Sequence, residues 1–383
     1  LLGVKNNSIT YEEYLNQLQK TLKKCTCQAS WCHTQILVHC LDCQKASNSC
    51  ICINCFLKGN HQGHRVYIAH HSGTCDCGDP QMWSPSGFCP DHPGPEPNPE
   101  QTQLTKETRI KLIAVCKASL SDYIRYVNIR SPLFTKITDF LFNLVSIGDA
   151  ARRCVCLAIK ESFSIYELYT NSIYLEIPKM MKLLDFLGPL TNDEIFRDYM
   201  SLSFLPYLPK FIEFNDSLAK MSENRKEAAK KFYSFCFHAS SLPQISGLIQ
   251  KKLFNWSDVF KKSFDLLMEF NLRKPSRKYS DGTLFSSSSS RIFNILESAF
   301  SVFDSKSSEI IELVDQIALI IIKYEFCFKS SRIFGEKLND FSRTQHAVFH
   351  IFFTIYKYVN TIIEKSVFTK KPLFMLENFF KSQ

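Results

Sequence analysis

Glycine is scarce in this 383-residue chain, with 12 positions, which argues against a turn-rich all-β fold and against a collagen-like repeat. Long apolar runs are missing too. The longest, at residues 317–322, falls far short of the ~18 residues needed to cross a bilayer. No secretory leader stands at the start, but the first residue is Leu rather than Met, so its absence carries little weight. No repeat of 20–50 residues is evident. What the chain does have is apolar bulk. Apolar residues make up 45% and aromatics 13%, with 33 Phe, enough for a substantial core and too much for a disordered chain. The length allows two or three domains.

Cysteine is abundant and unevenly placed. Eleven of the sixteen lie between Cys25 and Cys89, and seven of the ten histidines between His33 and His92. A disulfide framework has no need of histidine; Cys and His mixed at short spacings point to zinc in a reducing compartment. Cys40-x2-Cys43 followed by His61-x2-His64 makes one Cys2His2 set. Cys52-x2-Cys55, Cys75-x-Cys77 and Cys89-x2-His92 supply three further pairs, and Cys27 completes eleven ligands. Three tetrahedral ions need about twelve positions. Eleven groups suffice if one thiolate bridges two metals. With every position filled by protein, no coordination site is left for activating water, so zinc hydrolysis is excluded.

These residues carry a resemblance. Cys27-x12-Cys40-x2-Cys43-x8-Cys52-x2-Cys55-x5-His61-x2-His64, then "CDCGD", Trp83 and Cys89-x2-His92, resembles the UBR box, the substrate-recognition zinc domain of N-recognin ubiquitin ligases. The resemblance implies one zinc on Cys40, Cys43, His61 and His64. A second would sit on Cys27, Cys52, Cys55 and Cys75, and a third on Cys55, Cys77, Cys89 and His92, with Cys55 as the bridge. "SIGDAARRCVCLAI" and "IPKMMKLLDFLGPLTNDEIFRDYMSLSFLPYL" resemble, more weakly, the helical segment that follows the box in these ligases.

The resemblance also implies a ligand. The box of this family reads peptides whose first residue is basic, so two cations, the α-ammonium and the side chain, must meet acids. Between Cys25 and His92 four aspartates (42, 76, 79 and 91) face three basic residues (Lys45, Lys58 and Arg65), leaving −1 for the block and +10 for the rest of a chain whose total is +9. Asp76 and Asp79 are therefore expected to bind the substrate, with Thr74 and Trp31 as pocket walls and Gly78 permitting the turn between the acids. The position where the family carries a further acid is Ala46. Losing one carboxylate of three costs roughly 1–3 kcal/mol of binding.

Around this block the chain divides into an N-terminal helix (1–24), the zinc box (25–93), a Pro-rich linker (94–104), a helical scaffold (105–272), a Ser-rich basic loop (273–290) and C-terminal helices (291–383). Helical periodicity runs through "ETRIKLIAVCKASLSDYIRYV" as one segment and recurs near 178–187, 191–206, 219–238 and 255–272. The expected fold is mostly α, a small irregular three-zinc domain followed by an all-helical scaffold. After Cys89 the five remaining cysteines form no RING-like pattern, so no catalytic residue is assigned. The resemblance implies the substrate-recognition portion of an N-degron-pathway ubiquitin ligase, with Zn2+ as cofactor. Its partners would be proteins with basic amino termini, and a ubiquitin-conjugating enzyme engaged outside this chain, in the cytoplasm or also the nucleus. The alternative is a non-catalytic interaction scaffold. Membranes and nucleic acid are not expected as partners, since the basic "LRKPSRKYS" lacks interleaved aromatics. His346 and His350, one helical turn apart among phenylalanines, lack a third ligand nearby and read as ordinary helix residues.

Overall fold

The computed structural model describes residues 11–240, except 28, 32–34, 46–48, 71–72, 163 and 219–220, together with isolated positions between 258 and 266. Ala46, the basic loop, the C-terminal helices and the His346/His350 pair lie outside the described residues.

The fold is mostly helical, with a small irregular Cys- and His-rich region near the amino terminus. Helix α1 (Tyr11–Thr21) leads into a region of short strands: β1 (Ser30–Trp31), β2 (Leu37–Cys40), β3 (Ile51–Cys52), β4 (Val66–Ala69) and β5 (Gly73–Thr74), with helix α2 (Ile53–Lys58) following β3 directly. Strands β3, β2 and β4 form an antiparallel sheet in that order, and β1 pairs with β5. The core of this region contains few aliphatic side chains beyond Leu37, Val38 and Ile51; thiols and Trp83 fill most of it. So small a core needs another source of folding energy.

The helices then follow as α3 (Pro99–Thr102), α4 (Lys106–Ser121), α5 (Tyr123–Asn128), α6 (Pro132–Ile147), α7 (Asp149–Ser162), α8 (Ile165–Ser172), α9 (Ile177–Leu187), α10 (Glu194–Phe204), α11 (Leu208–Ser217) and α12 (Glu223–Ser240). Several start on local signals. Thr105 accepts the Thr108 N–H at 3.2 Å, and Ser164 accepts the Glu167 N–H at 3.3 Å. Ser131 caps α6 with Pro132 in its first turn. The chain folds as two compact units. One comprises residues 1–203 and 222–244; the other comprises 204–221 and 245–383. In the second, Phe204 and Phe211 meet edge to face at 4.7 Å.

Three sequence expectations change. The segment read as one helix over 107–127 is two, parted at Asp122, whose backbone (φ −99°, ψ 4°) leaves the helical region. Past that break Tyr123 is fully buried and its hydroxyl meets Thr138 Oγ1 at 2.8 Å; a continuous helix would not be free to make that turn. The segment 191–206 likewise opens with a 3-10 turn, Gly188–Asn192, before Asp193 accepts the Ile195 N–H at 3.0 Å and starts α10. Finally, the Pro-rich stretch is no spacer. Glu96 pairs with Lys23, Pro99, Glu100 and Leu104 are buried, and box and helices share one compact unit. Proline fixes this path of the chain rather than extending it.

Candidate metal centre and its anchoring

The short elements of the box bring the eleven predicted ligands into three groups. Cys40 ends β2 and Cys43 follows in the next turn, meeting His61 and His64 from the loop after α2. Cys52 caps the amino terminus of α2 and Cys55 lies one turn on, so both reach Cys27 and Cys75. Cys55 also joins Cys77, Cys89 and His92. Within each group the ligand atoms all lie within 4.8 Å of one another, and Cys55 is common to two of them.

The donor chemistry suits zinc. The cysteines of these groups are free thiols, so they are not committed to disulfides. Each histidine turns Nδ1 to the sulfurs: His64 lies 3.4 Å from Cys40 Sγ and 3.3 Å from Cys43 Sγ, His61 lies 3.6 Å from Cys43 Sγ, and His92 lies 3.4 Å from Cys55 Sγ. Ligands on a shared tetrahedral zinc would stand about 3.5 Å apart, given bonds of ~2.3 and ~2.05 Å. Backbone N–H groups point at sulfur as thiolates require: Cys52 N donates to Cys75 Sγ (3.2 Å), Cys55 N to Cys52 Sγ (3.4 Å) and Cys89 N to Cys77 Sγ (3.3 Å). Packing at the first group is tight. A Cβ on Gly87 would fall 2.6 Å from Cys43 Sγ and 3.0 Å from His61 Cε1.

Of the remaining cysteines and histidines, Cys50 belongs to none of the three ligand groups. It is buried, and its N–H donates to Asp76 Oδ2 at 2.8 Å. His39 is buried as well, donating from Nδ1 to the Ser49 carbonyl (2.8 Å) and stacking on Tyr67. Cys154 and Cys156 are buried within the helical core.

The four box aspartates are less available than their sequence suggests. Asp42 is held by Arg65, whose side chain and backbone N–H both donate to it (2.8 and 2.7 Å), and this holds its carboxyl below the usual range. Asp91 pairs with Lys58. Thr74 and Trp31 do flank the "CDCGD" turn on the paired strands β5 and β1, with Trp31 opposite Gly73 and Ser30 opposite Thr74. Gly78 has φ +89°, and a Cβ there would fall 2.5 Å from the Cys25 carbonyl. The turn therefore needs glycine, as expected.

Asp79 is the correction. It was expected to face a substrate cation, but it is 2% exposed and ion-paired with Arg197 of α10. Its Oδ1 accepts the Gln81 N–H at 2.9 Å, so both oxygens are engaged. Asp76 is partly exposed. Its Oδ2 accepts the Cys50 N–H, and Oδ1 has no partner among the described residues.

Arg197 belongs to a set of buried polar contacts within the helices and between them and the box, and those that join box to helices escape spacing rules. Asp149, the first residue of α7, accepts from Cys25 N (2.9 Å), Thr26 Oγ1 (3.1 Å) and Arg152 Nη2 (2.7 Å). Asn192 donates to the Cys27 carbonyl at 2.7 Å. Arg153 pairs with Asp193 at 2.6 Å. Gly148 lets this junction close, since a Cβ there would lie 2.7 Å from Leu22 Cβ. Charged residues among small apolar ones in "DAARRCVC" were the available signal.

Residues 26–92 match the family profile described as the zinc finger in N-recognin (UBR box). The chain thus carries a UBR box over residues 26–92. Its box is 38% identical over 71 residues to the E3 ubiquitin-protein ligase PRT6 of Arabidopsis thaliana, covering 18% of this chain and 4% of that protein. The chain is 31% identical over 85 residues to Ubr3 of Drosophila melanogaster, covering 22% of this chain and 4% of that protein, and 32% identical over 96 residues to UBR1 of Mus musculus, covering 23% and 5%. Both are also E3 ubiquitin-protein ligases. The matched region thus spans about one twentieth of the length of these relatives. Among the described residues no helix is long and apolar enough to cross a membrane.

Proposed function

We propose that this chain is the substrate-recognition portion of an N-degron-pathway ubiquitin ligase, whose UBR box binds the amino terminus of a target protein. The observation that carries the reading is Asp76. It is a carboxylate with one oxygen pinned by the Cys50 N–H and the other without a partner among the described residues, on a turn flanked by two of the three metal-ligand groups. A fixed carboxylate receives an ammonium without the entropy of ordering its own side chain. The three ligand sets above, two of them sharing Cys55, would hold three zinc ions and so fix that turn. Bound zinc supplies folding energy and rigidity here, and the chemistry of recognition belongs to the chain's own carboxylate and backbone.

No RING pattern occurs in this sequence, so ubiquitin transfer and the conjugating enzyme belong to a region outside it, in the cytoplasm or also the nucleus. The ion pair of Asp79 with Arg197 within the chain speaks against a preference for a basic first residue. That same pairing favours the second reading, an interaction scaffold whose box is structural or takes other peptides. Titration calorimetry with free and acetyl-capped peptides of otherwise identical sequence separates the two. Amino-terminal recognition requires binding that acetylation abolishes; equal heats for both forms would leave the scaffold reading.

A further inference from the structure

Arg197 lies 118 residues from Asp79 in sequence, yet both side chains are only 3% exposed where they meet. Its Nη1 donates to Asp79 Oδ2 and to the Thr191 carbonyl (2.9 Å), and Nη2 donates to Gln81 Oε1 (2.8 Å). One carboxylate and two neutral oxygens around a guanidinium make the environment that a basic first side chain of a bound peptide would need. The neighbouring acid that would hold the α-ammonium, Asp76, keeps a free oxygen.

Resting on the amino-terminal reading above, we propose that Arg197 is a specificity-determining residue. It occupies in cis the cation position beside Asp79, so the box accepts amino termini with uncharged first side chains and gives Arg and Lys no advantage. A peptide arginine would have to displace a group of identical chemistry. The resident is tethered to the site, at an effective concentration of about millimolar or more. The incoming residue gains only the contacts it destroys. Specificity in this box is thus set by the helical unit as well as by the zinc loops.

The test uses the zinc-loaded 383-residue chain and peptides differing only in their first residue: Arg, Lys, Gln or Met, each free or acetylated. For the unaltered protein the expected calorimetric result is Arg and Lys within about threefold of Gln. A preference of tenfold or more for the basic peptides overturns the proposal, whatever any variant does. Arg197→Met, which keeps the stem and removes the cation, is expected to gain tenfold or more for Arg peptides, and Arg197→Met/Asp79→Asn to lose that gain. A folded, zinc-replete Arg197→Met protein with no such gain also overturns it. Should acetylation prove irrelevant to binding, the amino-terminal reading falls separately. The Arg197 assignment is then judged by methylguanidinium, expected to raise the melting temperature of Arg197→Met and not of the unaltered protein. Equal effects on both would refute it.

Discussion

Replacing Asp149 with alanine tests whether the box and the helices behave as one folded body. Asp149 is 1% exposed and accepts three hydrogen bonds, two from the start of the box and one from Arg152, itself buried. Alanine leaves the Arg152 guanidinium without a counter-charge, holding only Thr26 Oγ1 (2.6 Å) while its Nε and Nη1 have no partner among the described residues, and frees the Cys25 N–H. Breaking one side of a buried pair costs about 3–5 kcal/mol, and the unmet N–H adds to this without strict additivity. At roughly 2–4 °C per kcal/mol for a unit of this size, the melting midpoint should fall by about 6–20 °C. Asp149→Ala/Arg152→Met removes both charges and should recover at least half of the loss, because an apolar pair needs no compensation. Differential scanning calorimetry of the two variants and the parent checks this. As a control, Lys111→Ala, which breaks the exposed Lys111–Glu107 pair, should leave the midpoint where it is. A single-variant loss below about 1 kcal/mol, or a double variant no better than the single, would refute the idea that this buried charge fastens the box to α7.

Cys55→Ser should remove two zinc ions per chain by elemental analysis, and His64→Ala only one, because Cys55 alone belongs to two ligand groups; equal losses would deny the bridge. Gly78→Ala should destabilise the chain by about 1–3 kcal/mol or more, since it combines φ +89° with a Cβ 2.5 Å from a carbonyl; chemical denaturation measures it, and a neutral outcome would mean the turn is not as tight as described. Asp76→Asn should abolish the distinction between free and acetylated peptides while the chain keeps its zinc. Burial pushes the Cys154 thiol up to about 12 and raises those of Cys116, Cys156 and Cys236. Iodoacetamide should therefore label these four only after unfolding, as mass spectrometry of native and denatured samples can show.

Much of the box was legible beforehand, for a physical reason. Metal coordination imposes ligand type and short spacing on the chain itself, so Cys40, Cys43, His61 and His64 announce one another across twenty-odd residues. Gly78 was legible likewise, because a backbone turn between two acids depends on local sterics. Helix existence followed from periodicity, whereas the break at Asp122 did not, since what favours it is the distant Thr138 hydroxyl that Tyr123 reaches.

The reading of Asp79 shows the limit. Formal charge counted along a segment treats each carboxylate as open to solvent, but the partner of this one arrives from α10, 118 residues on. Charge pairing in a folded interior is set by which elements pack together, and no local spacing encodes that. The sequence alone determined which cysteines and histidines gather, the glycine turn and the helical character of the described remainder, since each depends on neighbours along the chain. Only the tertiary structure decided which acids remain free to act, because desolvation and pairing belong to the packed interior.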